Sequence, residues 1–161
     1  MKSVLKRVSV FAVSTLMIFS VLVFSACDSN KGNTEEIQSF YDAVVESKSA
    51  LETLAGEIYT CWHAYVYKDK YSSVDAALLT AITNEYEAYE FIKANDEKLK
   101  DLYKTVKDSD LGDQIKDVMS AYTDYYEFVY NVSGSFTSFS SNNETLKKEL
   151  ASAVKKLELE M

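Results

Sequence analysis

A seven-residue repeat of apolar side chains over Glu35–Tyr67, in a chain of 161 residues without proline, most constrains the fold. Ile37, Val44, Leu51, Ile58 and Tyr65 recur every seven residues, and Phe40, Ser47, Leu54 and Cys61 follow the first four at a spacing of three. This pattern is typical of a helix that packs along its whole length against partner helices. Because proline interrupts helices and is absent here, the sequence predicts an all-α domain.

The rest of the periodicity predicts three further helices with short connections, and so an antiparallel bundle of about four helices, two long and two shorter. Thr34 is the predicted N-cap of the first helix. The second runs over about Val74–Lys107, opened by a capping box of Ser72 and Asp75. Asn95-Asp96 falls inside this pattern and predicts a bend.

The third and fourth helices are shorter. Ser109 or Asp110 is the predicted N-cap of the third helix, after a polar break in the chain. A connection rich in Ser, Gly and Asn then runs over about Asn131–Ser140. Ser141 and Glu144 have the spacing of a capping box and predict the start of the last helix.

The N-terminal segment has the composition of a secretory signal. Lys2, Lys6 and Arg7 precede the uncharged stretch Val8–Phe24, which ends in small residues. With 17 residues, this stretch is at the lower limit for an uncleaved membrane anchor, the alternative interpretation. With either interpretation, the positive charges on the N-terminal side place the rest of the chain outside the cytoplasm.

The run Phe24-Ser25-Ala26-Cys27 resembles the lipobox of bacterial lipoproteins. The resemblance implies cleavage between Ala26 and Cys27 and a diacylglycerol thioether, with fatty acids such as palmitate, on Cys27. We therefore expect a signal peptide over residues 1–26, a lipidated flexible tether over 27–34 and a helical bundle domain over 35–161. Without lipidation, a Cys27–Cys61 disulfide is the alternative, because the chain has two cysteines.

The charge of the chain limits its partners. The first 26 residues carry three positive charges and no acid, so their removal changes the net charge from −8 to −11. Such an acidic domain is a poor candidate for binding nucleic acid, where basic patches supply most of the affinity. It is also repelled by anionic lipid headgroups, so we expect the lipid to provide the attachment to the membrane.

Cys61-Trp62-His63 contains the only Trp and the only His of the chain. Residues two apart on a helix point in nearly opposite directions, so Cys61 and His63 are not expected to form a catalytic dyad. Cys61 is expected to be a small buried hydrophobe, Trp62 to lie at the edge of the core and His63 to be solvated. Thr60 precedes His63 by three residues, so the Glu-x-x-His pair of a di-iron bundle is missing, and we expect no metal or other cofactor besides the lipid.

The twelve tyrosines are the most unusual feature of the composition. Many are expected in the core, with their hydroxyls reaching water, but Tyr and Trp are also favoured at interfaces. The candidate binding residues are therefore aromatic: Trp62, Tyr122, Tyr125, Tyr126, Tyr130, Phe136 and Phe139. Phe136 and Phe139 lie in the polar connection before the last helix, and we expect them to pack this connection against the bundle.

Several segments together resemble a family. They are the stretch Ser120–Phe128, the run Ser133-Gly134-Ser135-Phe136-Thr137-Ser138-Phe139, the Trp late in the first helix and the lipobox. In outline the chain is similar to a group of small, all-helical lipoproteins of Gram-positive bacteria. The resemblance implies the fold and the location at the outer face of the cell membrane, and it brings no known activity.

We therefore expect a lipid-anchored extracytoplasmic protein that is not an enzyme. The favoured hypothesis is a protein-interaction module with an envelope protein as its partner. The alternative is a carrier that holds a small apolar ligand between its helices. An interaction module requires a contiguous exposed aromatic surface over a packed interior, whereas a carrier requires an apolar cavity.

Overall fold

A computed structural model describes residues 31–161, which form five α-helices and no strand. The helices are α1 (Lys31–Lys68), α2 (Val74–Asn84), α3 (Tyr86–Val106), α4 (Gly112–Tyr130) and α5 (Phe136–Glu160). The prediction of an all-α fold is confirmed for these residues. The predicted signal peptide, the lipobox and the lipidation of Cys27 lie outside the described residues.

The heptad repeat of α1 places its apolar side chains in the core. The buried residues on this helix include Ile37, Phe40, Val44, Ser47, Leu51, Leu54, Ile58 and Cys61, as the repeat predicts. With 38 residues, α1 is the longest described helix, and it contacts each of the other four. Full burial of one large apolar side chain contributes about 1.5–3 kcal/mol, so this seam is a main source of stability.

Side-chain contacts join α1 to α2, α3 and α5 at different points along its length. Towards the end of α1, Glu57 accepts a hydrogen bond from Asn84 of α2, and nearer its start Ser47 bonds Asn95 of α3. On α5, Phe136 lies against Trp62, whereas the later residue Lys147 pairs with Glu52. On α5, the later residue therefore contacts the earlier position on α1.

The predicted second helix is two helices, separated at Glu85. Its backbone (φ −111°, ψ 37°) departs from helical values, although its N–H still bonds the carbonyl of Ala81. α3 continues through Asn95-Asp96, where the sequence predicts a bend, and both residues are buried inside the helix. Their polar groups are paired across the interior, so they do not mark a break.

Three predicted caps differ from the structure. Thr34 is not an N-cap, because α1 begins at Lys31, within the predicted tether. The N-cap of α2 is Ser73, one residue after the predicted Ser72, and its hydroxyl accepts a hydrogen bond from the Ala76 N–H at 3.1 Å. At α4 the cap position is Leu111, not Ser109 or Asp110.

The connection before α5 is shorter than predicted. Gly134 has a positive φ of 87°, which favours glycine, and it leads into Ser135, the N-cap of α5. The Ser135 hydroxyl accepts a hydrogen bond from the Ser138 N–H at 3.1 Å. Ser141 and Glu144 lie inside α5 and do not open it.

Across the described residues, no helix is both long enough and apolar enough to cross a bilayer.

Candidate functional site: an exposed aromatic surface

The structure separates the predicted binding residues into a buried and a partly exposed group. Trp62, Tyr122, Tyr125 and Phe139 are buried in the hydrophobic core. Tyr126, Tyr130 and Phe136 are partly exposed and pack against that core. The seven side chains therefore do not form one surface. Cys27, the predicted lipidation site, lies outside the described residues.

Tyr122 and Tyr125 are fully buried side chains whose hydroxyls have partners. The Tyr122 hydroxyl donates to Asp96 Oδ1 at 3.4 Å, and the Tyr125 hydroxyl donates to Asn143 Oδ1 at 2.9 Å. Burial is the main cause that raises the pKa of both phenols, and nearby carboxylates raise it further. Both therefore remain neutral hydrogen-bond donors inside the protein.

Tyr126 and Tyr130 stack on each other, with ring centroids 4.6 Å apart. The Tyr130 ring also lies 5.0 Å from that of Tyr89, and its hydroxyl donates to the Tyr89 carbonyl at 2.7 Å. This hydrogen bond ties the end of α4 to the start of α3. Because Tyr130 connects two helices and both tyrosines pack against the core, their main contribution in this structure is to packing.

A different group of rings forms the contiguous exposed aromatic feature. Tyr59, His63 and Tyr67 of α1 surround Phe136 of α5, and we call these four residues the aromatic surface. Their ring centroids are 5.1 Å apart for Tyr59 and Phe136, 5.8 Å for His63 and Phe136 and 5.8 Å for Tyr67 and Phe136. Tyr67 is 64% exposed and Tyr59 is 38% exposed. The surface is therefore open to solvent, although its rings contact one another.

The position of each ring follows from the sequence. Tyr59, His63 and Tyr67 are spaced by four residues, so they lie in one row along α1. Adjacent centroids in the row are 6.0 Å apart for Tyr59 and His63 and 4.8 Å for His63 and Tyr67. Phe136 is the first residue of α5, so the Ser135 cap sets where its ring meets the row.

Buried rings support the aromatic surface from below. The Trp62 centroid lies 6.1 Å from that of Phe136 and 5.5 Å from that of Phe139. Phe139 in turn stacks on Phe128 of α4 at 4.9 Å. The exposed rings thus rest on a packed layer of aromatic side chains, which fixes their positions.

A polar cavity of about 290 Å³ lies beside Tyr59, mainly between α1 and α5, with Tyr125 of α4 also in its wall. Its lining residues are Glu52, Gly56, Tyr59, Tyr125, Ser140, Asn143, Glu144 and Lys147. Glu52 forms ion pairs with Lys48 at 2.7 Å and with Lys147 at 3.0 Å. Burial opposes ionisation of Glu52, but the hydrogen bonds from the two lysines outweigh it and lower the pKa of this carboxyl.

Cys61 is a buried free thiol, as the heptad position predicts. Its Sγ lies 3.4 Å from Glu57 Oε1 and 3.4 Å from the Tyr71 hydroxyl. Burial raises the pKa of this thiol, with a further contribution from Glu57. His63, predicted to be solvated, is half-buried among the rings of the aromatic surface. The two side chains thus have separate sets of contacts.

Within residues 31–161, no group of three His, Cys, Asp or Glu side chains is arranged to hold a metal ion. Comparison of the chain with models of known protein families, with curated proteins and with solved structures finds no match.

Sequence reasoning missed three of the four residues of the aromatic surface as binding candidates: Tyr59, His63 and Tyr67. The spacing of four residues was the available signal, since it places the three rings on one face of a helix. Phe136 was predicted as a candidate, but as part of a loop. The start of α5 at this residue brings its ring to α1.

Proposed function

We propose that the protein is a lipid-anchored, non-enzymatic interaction module at the outer face of the cell membrane. In this proposal Cys27 carries the diacylglycerol, the helices form an antiparallel bundle, and an envelope protein binds the aromatic surface. The contiguous rings of exposed Tyr59 and Tyr67 and half-buried His63 and Phe136, above a packed core, are the observation that carries the proposal.

The chemistry of these side chains favours binding to a protein. Tyrosine provides a large contact area and loses little conformational entropy when it is immobilised, so it is enriched in interface hot spots. Here the contacts among the rings, and between Phe136 and Trp62, already restrict the side chains before a partner binds. Such preorganisation lowers the entropic cost of association.

The position of the aromatic surface along α1 also supports this role. Tyr59 and Tyr67 follow Lys31, the first residue of α1, by 28 and 36 residues. At a rise of about 1.5 Å per residue, they lie about 42 Å and 54 Å along the helix. Because Cys27 precedes α1, an anchored domain standing upright would present these rings away from the bilayer.

The acidic charge limits the partners of the proposed module. At a net charge of −8 for the whole chain, nucleic acids and anionic lipid surfaces are disfavoured. A protein partner with an apolar or basic docking site is compatible with the aromatic surface.

Site-specific photo-crosslinking in the native membrane tests this role. A photoreactive phenylalanine derivative at Tyr67 is expected to give one discrete envelope-protein adduct, and Phe136→Ala is expected to remove it. Leu79 on α2, 66% exposed, is the matched control position. Equal labelling from positions 67 and 79, or no adduct at 67, would contradict the proposal.

A carrier of a small apolar ligand is the second candidate. An apolar cavity lies between α1, α2, α3 and α4, lined by Leu54, Ile58, Leu78, Ile82, Tyr89, Val129, Tyr130 and Val132. Its volume of about 190 Å³ is below the range of about 300–1,000 Å³ of typical ligand sites. We therefore favour the interaction module. Native mass spectrometry that detects a retained apolar molecule would favour the carrier.

A further inference from the structure

The polar cavity beside Tyr59 contains a glycine that the fold does not need. Gly56 lies in the interior of α1, where glycine destabilises a helix relative to alanine. A Cβ added at Gly56 would have no heavy atom within 4 Å, so packing does not exclude a side chain. Because glycine has no side chain, one wall of the cavity is left open at this position.

The other lining groups combine an aromatic ring with donors and acceptors of hydrogen bonds. Tyr59 contributes a partly exposed ring at the edge of the cavity. Ser140 contributes a hydroxyl, Asn143 an amide and Glu144 an exposed carboxylate, all from α5. The Tyr125 hydroxyl donates to Asn143 Oδ1, which orients the amide and leaves its Nδ2 as a donor.

The charges at the cavity favour a neutral ligand. Lys147, the cation among the lining residues, is paired with Glu52 at 3.0 Å. Glu52 also pairs with Lys48 at 2.7 Å, and Glu144 lies 4.0 Å from Lys148, so the charges at the cavity are paired with one another. A charged ligand would therefore find no unpaired opposite charge among these lining side chains, whereas a neutral ligand needs none.

We propose that this cavity binds a neutral saccharide. The apolar face of a sugar ring would lie on Tyr59, while its hydroxyls would pair with Ser140, Asn143 and Glu144. Gly56 would allow the sugar to approach the backbone of α1 closely. The volume of about 290 Å³ is just below the range of about 300–1,000 Å³ for small-ligand sites, which fits one unit of a longer glycan.

This site is independent of the proposed protein partner, although Tyr59 borders both surfaces. The proposal concerns the cavity between α1 and α5, whereas Tyr67 belongs only to the aromatic surface. The ligand chemistry could come from soluble oligosaccharides or from the neutral glycan of an envelope polymer. Soluble and insoluble probes distinguish these two sources.

Titration calorimetry of the full-length protein in detergent tests the site, with cellotetraose, maltotetraose and the tetramer of N-acetylglucosamine as soluble probes. We expect at least one of them to bind. Gly56→Gln should fill the cavity and weaken binding by about tenfold or more, while the thermal midpoint stays unchanged or rises. Gly56→Ala is the matched control: it gives similar helix stabilisation, adds less volume and should retain most of the affinity.

Two further measurements complete the test. Glu144→Gln, at an exposed position, should weaken binding about threefold to tenfold by replacing a charged acceptor. Sedimentation with insoluble chitin or cellulose shows whether the site also takes a polymer. Binding of none of these saccharides, or equal affinity in Gly56→Gln and the native protein, would overturn the proposal. The Tyr67 crosslink should persist in Gly56→Gln, which separates failure of this site from failure of the proposed protein partner.

Discussion

Asn95 of α3 donates a hydrogen bond to Ser47 of α1, with 2.6 Å between Nδ2 and Oγ, in the interior of the protein. The same nitrogen lies 3.0 Å from the carbonyl oxygen of Ala43. Both side chains are buried, and an unpaired polar group there would cost free energy. The pair therefore favours one register of α1 against α3, as a buried asparagine does in a coiled coil.

We expect Asn95→Ala to lower the free energy of unfolding by about 1–3 kcal/mol, because Ser47 loses its partner in the core. Urea unfolding followed by circular dichroism measures the change. In a double-mutant cycle with Ser47→Ala, the coupling energy should be at least about 0.5 kcal/mol. A coupling energy near zero would show that the hydrogen bond does not stabilise the helix pair.

The buried hydroxyls of Tyr122 and Tyr125 should contribute unequally to the free energy of unfolding. Tyr125→Phe removes the 2.9 Å hydrogen bond to Asn143 and keeps the ring, so we expect a loss of about 0.5–1.5 kcal/mol. Tyr122→Phe removes a longer contact of 3.4 Å to Asp96 and should cost less. The two variants control for each other in thermal and urea unfolding. A larger loss for Tyr122→Phe would contradict this assignment.

Gly56 in α1 and Gly112 at the start of α4 should respond oppositely to replacement by alanine. At Gly112, a Cβ would collide with the carbonyl oxygen of Lys107, so Gly112→Ala should destabilise the protein by about 1–3 kcal/mol. At Gly56 the space is open, and Gly56→Ala should stabilise by about 0.5–1 kcal/mol. Thermal unfolding of both variants checks the signs. Destabilisation by Gly56→Ala would mean that the cavity wall is packed.

Stability should depend on pH through Glu52, which pairs with Lys48 and with Lys147 across α1 and α5. The pKa of Glu52 is lower in the folded protein than its ordinary value of 4.5. A lowered pKa stabilises the folded state above the unfolded value and loses that contribution as the pH falls through the folded value. The stability advantage of the native protein over Glu52→Gln should therefore be present at pH 6–7 and shrink below about pH 4.5.

Urea unfolding of both proteins between pH 3 and pH 7 measures this difference. Glu158→Gln, which removes an exposed ion pair with Lys155, is the control and should change stability little at any pH. A pH-independent difference between the native protein and Glu52→Gln would exclude the ion pairs as its cause.

Sequence patterns identified the parts of the fold that depend on local periodicity. The repeat in α1 predicted its buried side chains, and the position of Cys61 in that repeat predicted its burial. The break at Glu85 was not visible, because the flanking residues include neither Gly nor Pro. The hydrogen bond from Asn84 to Glu57 holds this end of α2 on α1, and local sequence does not encode such a contact.

Polar residues misled the prediction where tertiary contacts satisfy them. The sequence predicts a bend at Asn95-Asp96, although Asn95 bonds Ser47 of α1, and Asp96 accepts a hydrogen bond from Tyr122 of α4 at 3.4 Å. The Ser-rich segment before α5 was interpreted as a loop, although Ser135 caps a helix there. The candidate site was found only in part for the same reason. Whether Tyr59 or Tyr122 is exposed depends on which helices cover each residue.

The intact mass of the protein extracted from its own membranes and denatured tests the central claim of a lipid anchor most directly. The proposed function predicts the mass of residues 27–161 plus diacylglycerol. An unmodified full-length mass would contradict the claim and would make Val8–Phe24 an uncleaved membrane segment.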